Sequence, residues 1–252
     1  MSLRFRYLVQ RNFLVWRKLM VASLLGNLAD PLIYLLGLGY GFGMMIGTVN
    51  GRPYINFLAA GMVCYSTMQS ATFEGLYSAF SRLKMQRTWE GLLYAPMTAA
   101  DIVVGEWVWA AAKALLSGTA ILLVMYGLRI VHGWLPLAAL PIALLIGLAF
   151  AGVALVMTTL AKSYDFFVYY FTLVITPLMF LSGVFYPLAQ LPKVLQAVAW
   201  FLPLAHACSL MRAVTLGDPL GAPAWVSVAL LLAYGIGGVA IASRIAERRL
   251  TR

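Results

Sequence analysis

Charge is the scarcest commodity in this chain. Only 10% of its 252 residues are Asp, Glu, Lys or Arg, against about 25% in a soluble domain. Acidic residues are fewer still, 8 against 18 basic ones. Histidines and cysteines number two each. Cys64 and Cys208 lie far apart in apolar stretches, fit neither a disulfide framework nor a zinc spacing, and are expected to pack in a core. His132 and His206 are isolated and are expected to be interfacial or packing residues. No Lys follows a Gly, which excludes a P-loop and ATP binding of that kind. HExxH, CxxC and GxSxG are also absent, so the chain alone is not expected to be an enzyme or to hold a metal.

What is abundant is apolar surface: 63% of residues are hydrophobic and the mean hydropathy is +0.89. A chain of this length cannot hide that much in one core, so its solvent is lipid. Long unalternating apolar runs favour helices over barrel strands, because a backbone in lipid must satisfy its own polar groups. Six stretches reach the roughly 20 residues a span requires: 21–45, 54–78, 103–127, 136–160, 166–187 and 222–243. No internal repeat relates 1–126 to 127–252.

The basic residues flank these stretches. One side carries Arg4, Arg6, Arg11, Arg17, Lys18, Arg82, Lys84, Arg87, Lys162, Arg244, Arg248, Arg249 and Arg252. The other carries Arg52, Arg129, Lys193 and Arg212. The bias predicts both termini in the cytoplasm, and with no separate basic domain it does not point to nucleic acid. The first apolar run is longer than a signal-peptide core and lacks a clear small-x-small site, so no cleaved leader is expected. Residues 4–18, RFRYLVQRNFLVWRK, interleave Phe5, Leu8, Phe13 and Trp16 with cations. They predict an amphipathic helix at the membrane surface, with Arg11, Trp16 and Arg17 as interfacial contacts. Between spans five and six, Pro192 and Pro203 divide an unusually apolar loop into two expected short helices, 193–202 and 204–216, dipping into the outer leaflet.

The stretch RLKMQRTWEGLLYAPMTAADIVVGE, 82–106, interrupts the oily chain. Ser81 or Thr88 can begin a short helix that Pro96 ends, and Thr98 and Asp101 hold capping-box spacing before span three. Residues 86–95 then form a foot with Trp89, Leu92, Leu93 and Tyr94 expected on a surface in want of a partner, such as a soluble motor.

Several stretches carry a resemblance: GNLADPLIYLLGLG (26–39), FLAAGMV (57–63), QRTWEGLLYAPMTAADIVVGEWVWA (86–110), SYDFF (163–167), TPLMFLSGVFYPLAQLP (176–192) and LPLAHA (202–207). In order and spacing the chain resembles the nodulation-protein-J type of ABC-2 exporter permease. The resemblance implies an all-α membrane protein of six transmembrane helices in a single 1–252 unit. Residues 1–19 would be its connecting helix, 82–98 its coupling helix and 187–216 its re-entrant helices. Arg82, Arg87, Thr88, Trp89, Glu90, Gly91, Tyr94 and Pro96 would then meet an ATPase. It further implies pairing with a second copy and two copies of a separate ABC ATPase that binds ATP and Mg, and residence in the bacterial inner membrane. The implied cargo is a lipo-oligosaccharide of the lipo-chitooligosaccharide kind. Efflux of drugs or other hydrophobic small molecules is the alternative.

Ionisable groups at bilayer depth default to functional suspicion. Glu106 and Lys113 lie seven apart and share a helix face, with Lys113 expected to reach toward Glu106. Together they are either a structural charge pair or a polar seat for a sugar. Asp30 precedes Pro31, where a helix is expected to kink or restart, and Glu74 closes span two with Gln69 and Ser70 a turn above. Tyr169 and Tyr170 open span five on different faces, so at most one faces a central path. Asp30, Glu74, Glu106, Lys113, Tyr169 and Tyr170 are the candidates for that path.

Overall fold

The computed structural model describes residues 4–250; residues 1–3 of the expected connecting helix and Arg252 of the basic tail lie outside them. The described chain is helices and their connecting turns, with one hairpin of two-residue strands. Helix α1 (Phe5–Arg17) precedes α2 (Met20–Ile46). The hairpin pairs Thr48–Val49 with Arg52–Pro53 across Asn50 and Gly51, both at positive φ, as a tight Asn-Gly turn requires. Then come α3 (Tyr54–Phe73), α4 (Thr88–Leu93), α5 (Ala99–Gly127), α6 (Ala139–Leu160), α7 (Asp165–Tyr170), α8 (Thr176–Leu181), α9 (Lys193–Ala199), α10 (Pro203–Leu216) and α11 (Ala224–Leu250).

Among the described residues, four helical stretches are long and apolar enough to cross a membrane: Met20–Ile46, Ala99–Gly127, Leu135–Leu160 and Ala224–Leu250. The chain is therefore a multi-pass membrane protein. The other two expected spans differ for separate reasons. Helix α3 is long, but Ser66, Thr67, Gln69, Ser70 and Thr72 lower its apolarity. Almost all of it is buried, Leu58, Met62 and Met68 completely, so protein rather than lipid surrounds most of these side chains. The expected 166–187 span ends early. Asp165–Leu181 is one apolar helix with a π-turn at Phe171–Ile175, and Gly183 at φ +73 turns the chain away. Its rise is about 25 Å, short of a roughly 30 Å hydrocarbon core. Pro31 stands inside an unbroken α2, so the expected restart does not occur.

Two apolar clusters hold the fold. The larger centres on α3 and takes side chains from α2, α5, α6, α7 and α10, among them Leu35, Leu58, Met62, Ile121, Ile146, Phe167 and Met211. Small residues let its helices approach. A Cβ at Gly152 on α6 would stand 2.5 Å from the Gly235 carbonyl oxygen of α11, the close contact that helices use where lipid gives no hydrophobic push. The smaller cluster gathers at one end: Leu8, Leu83, Trp89, Ile102, Val103 and Leu155, with Val239, Ala242 and Ala246. At the opposite end, α9 and α10 form a bent pair at 86°. The prolines place the break as expected, although the first helix closes at Ala199 rather than 202 because Pro203 opens the next. Cys64 and Cys208 are both buried free thiols in the larger cluster.

Candidate functional site: a buried charge junction

Below α3 the helix loosens. Glu74–Ser78 and Ser81–Met85 are π-turns, wider than α-helical turns and common at functional sites. Glu74 and Arg82 are eight residues apart, which in a regular α-helix means about 12 Å of rise and a large turn away from one face. The wider winding returns Arg82 beneath Glu74, and its Nη2 donates to Glu74 Oε1 at 2.9 Å. The loosening is supported from outside, since the Thr158 hydroxyl donates to the Gly75 carbonyl at 2.6 Å and Gly75 lies against Ala154.

Glu106, on α5, collects the neighbouring elements. It accepts from Arg82 Nε at 2.8 Å and Nη2 at 2.6 Å, a two-pronged pairing. The Trp89 indole N–H of α4 donates to it at 3.3 Å, and Asn12 Nδ2 of α1 at 3.2 Å. Glu74 accepts from the Trp109 indole at 2.9 Å and from Lys113 Nζ at 2.8 Å. Both carboxylates are buried, at 1% exposure for Glu106 and 4% for Glu74. Two anions and two cations thus balance, with neutral donors filling the remaining lone pairs. Burial by itself would lower the pKa of Arg82, but Glu106 and then Glu74 raise it, so its charge is fixed at every physiological pH. A buried pair so arranged contributes little net stability, yet removing one partner costs about 3–5 kcal/mol.

The surroundings hold α1 and α4 against α5. The Thr98–Asp101 capping box starts α5 as expected, with Asp101 N–H donating to Thr98 Oγ1 and Thr98 N–H to Asp101 Oδ2, each at 3.1 Å. Leu8 sits on Gly105, where a Cβ would stand 2.9 Å from Leu8 Cδ2. Arg4 donates to the Pro96 carbonyl, which ties the start of α1 to the end of the foot. Trp16 is buried, donates to Ser23 Oγ at 3.0 Å and meets Trp109 edge-on at 5.9 Å. A cavity of about 240 Å³ opens beside the junction, between α1, the start of α2, the π-turns and α5.

Several expected positions change. Trp89 does not project from the foot. It is wholly buried, because its large ring fills the space among Leu83, Ile102 and Val103 while its N–H reaches Glu106. Arg82 likewise points inward, since two carboxylates hold it there. Lys113 pairs with Glu74, not Glu106, whose lone pairs are already occupied. The buried face of α1 is Leu8, Asn12 and Trp16, at a spacing of four, while Phe13 is 44% exposed. Glu90, Gly91, Tyr94 and Pro96 are exposed and Thr88 is half-buried; Arg87 is exposed and left-handed at φ 49. Arg11 is half-buried and Arg17 exposed. Asp30, exposed, accepts from the Tyr65 hydroxyl at 3.2 Å, away from the junction. Tyr169 is exposed and Tyr170 buried, so the two do face differently. Asn12 and Trp109 belong to the site without having been singled out in the sequence. Asn12 was findable, as the middle member of the Leu8–Asn12–Trp16 stripe.

Nothing in this constellation is a nucleophile with a base, and among the described residues no cluster has a metal's ligand set. What it does show is one carboxylate joining four pieces of chain. The family model for ABC-2 type transporters matches residues 4–216. The chain belongs to the ABC-2 type transporter family. Nodulation protein J of Rhizobium leguminosarum bv. viciae is 50% identical over 96% of this chain and 93% of its own length. Nodulation protein J of Rhizobium meliloti (strain 1021) is 48% identical over 96% and 92%. The inner membrane transport permease YadH of Escherichia coli (strain K12) is 30% identical over 81% and 78%. The resemblance of stretches 26–39 through 202–207 is therefore a property of nearly the whole chain.

Proposed function

We propose that this chain is the membrane subunit of an ATP-driven exporter, working as a pair of copies with two copies of a separate ABC ATPase that binds ATP and Mg. The observation that carries the mechanism is the Glu106 junction, where the foot, the interfacial helix, the π-turn that holds Arg82 and α5 meet in one buried carboxylate. In this reading both termini are cytoplasmic in a bacterial inner membrane, and six spans include the buried α3 and the short Asp165–Leu181. Residues 1–19 form the connecting helix, 82–98 the coupling helix, and the bent α9–α10 pair within 187–216 re-enters from the outer side.

The exposed part of the foot, Arg87, Glu90, Gly91, Tyr94 and Pro96, is the ATPase contact in this proposal. Trp89 and Arg82 act behind it. Displacement of the foot pulls on Glu106 through the Trp89 N–H and the Arg82 fork, and thereby on α5 and on Glu74 at the base of α3. A charge-balanced network suits such a task, since partners can exchange without leaving a bare ion in a medium where bare ions are costly. The spans then tilt and open a path between the two copies.

For the cargo we propose a lipo-oligosaccharide, which the Nodulation protein J relatives support most directly. Tyr169 presents a ring for sugar stacking, and Asp30 an exposed acceptor. Efflux of another hydrophobic small molecule is the second reading, favoured by the 30% identical relative whose name specifies only transport. The test is reconstitution with the cognate ATPase, measuring ATP turnover with and without a lipo-chitooligosaccharide. Stimulation that needs both the acyl chain and the sugar is expected. An assembled, ATP-hydrolysing complex indifferent to this ligand overturns the cargo, and failure to assemble with any ABC ATPase overturns the exporter reading.

A further inference from the structure

We infer that the 240 Å³ cavity beside the junction is a site for the phosphate of an anionic membrane lipid. Three cations, Arg11, Arg82 and Lys113, line it against one lining carboxylate, Glu74. Glu106, behind the wall, brings the anions to two, which leaves one positive charge over. The surplus sits on Arg11. Its guanidinium meets only the neutral Asn12 side chain, at 3.4 Å, and no carboxylate among the described residues lies in ion-pair range of it. Glu74 does not repel an incoming anion strongly, being already held by Arg82 and Lys113. Lys113 has two further N–H groups, and the Ser78 hydroxyl lines the same wall.

The rim matches the rest of a lipid. Val15 and Leu19 line the opening and are 58% and 66% exposed, apolar where a glycerol and acyl chains would lie. The cavity also sits under α1, an interfacial amphipathic helix, at the depth where headgroups meet hydrocarbon. Basic pockets between helices on the cytoplasmic side favour anionic headgroups. A zwitterionic lipid carries its own ammonium group into a site with surplus positive charge and is disfavoured. A bound phosphate would bridge Arg11 on α1 and Lys113 on α5, and so hold α1 against the junction.

This inference rests on the proposed cytoplasmic placement of α1, but on neither the ATPase nor the cargo. The experiment is thermal unfolding of the full chain in neutral detergent, titrated with phosphatidylglycerol or phosphatidylcholine. Phosphatidylglycerol is expected to raise Tm by several degrees more than phosphatidylcholine. Arg11→Gln should abolish the difference, and Arg6→Gln, on an exposed Arg of the same helix, should keep it. Ser78→Leu fills the cavity without changing its charge and should abolish it too, which guards against a misfolded Arg11 variant. Equal shifts from both lipids, or equal losses in Arg6→Gln and Arg11→Gln, would contradict the site and leave only surface attraction. Inorganic phosphate matching the lipid's effect would mean a free-anion site, and a shift with neutral chitotetraose but none with phosphatidylglycerol would mean a sugar seat; either result overturns the proposal.

Discussion

Two arginines near opposite ends of the bundle are held in different ways. Arg82 lies between two carboxylates, and charge balances within a few ångströms. Arg212 on α10 has no carboxylate within ion-pair range among the described residues. Its guanidinium stands 3.7 Å over the Phe57 ring and donates to the Gly183 carbonyl at 2.5 Å and to Val184 at 3.4 Å. Backbone carbonyls and a ring are fixed, so Arg212 pins the turn after α8 onto α3 and α10. The carboxylates lie on separate segments of chain, so Arg82 joins elements that the proposed mechanism moves together. In that proposal one end of the molecule is clamped and the other is articulated.

The largest expected effect breaks the articulated end. Glu106→Ala strands the Arg82 fork, the Trp89 N–H and Asn12 at once, and should cost about 3–5 kcal/mol, measured as a fall in Tm in detergent. Arg212→Met should cost less, about 1–3 kcal/mol, since it leaves two carbonyls short of donors rather than a buried charge. If Arg212→Met proves the more damaging, the contrast between clamp and joint is wrong. Next comes Gly105→Leu. Crowding of Leu8 and the Phe5 carbonyl should cost about 1–3 kcal/mol and lift α1 from α5, so that limited proteolysis cuts within α1 sooner. Trp89→Phe loses the N–H to Glu106 and leaves a phenyl where the larger indole filled the space, for about 1–3 kcal/mol. Tyr94→Ala, at a side chain 95% exposed, should leave Tm unchanged and weaken binding to the ATPase, which co-purification reads directly.

Local features were readable in the sequence. The Thr98–Asp101 box, the amphipathic 4–18 helix and the proline-divided pair before α11 each depend on residues within one or two turns. The helical class followed from apolar run length. The junction was only half legible. Glu74, Glu106, Lys113, Arg82 and Trp89 were all singled out, but their partners are 8 to 94 residues away in the chain. Which cation takes which carboxylate depends on π-turns that leave no mark in composition. Trp89 misled because a large apolar ring on a short polar helix reads the same whether it docks a partner or fills its own core. Hydropathy could not show that α3 is buried, for a related reason: it reports the average solvent of a helix, and the neighbours of α3 are other helices.

The central claim, that the junction passes motion from the foot to the spans, is tested most directly by the double variant Arg82→Gln with Glu106→Gln. It removes one cation and one anion together and leaves Glu74 paired with Lys113, so the fold keeps its charge balance. Reconstituted with the ATPase and cargo, this variant is expected to assemble and to hydrolyse ATP at its basal rate, with cargo stimulation and export lost. Export at the unmodified rate from an assembled double variant would contradict the claim.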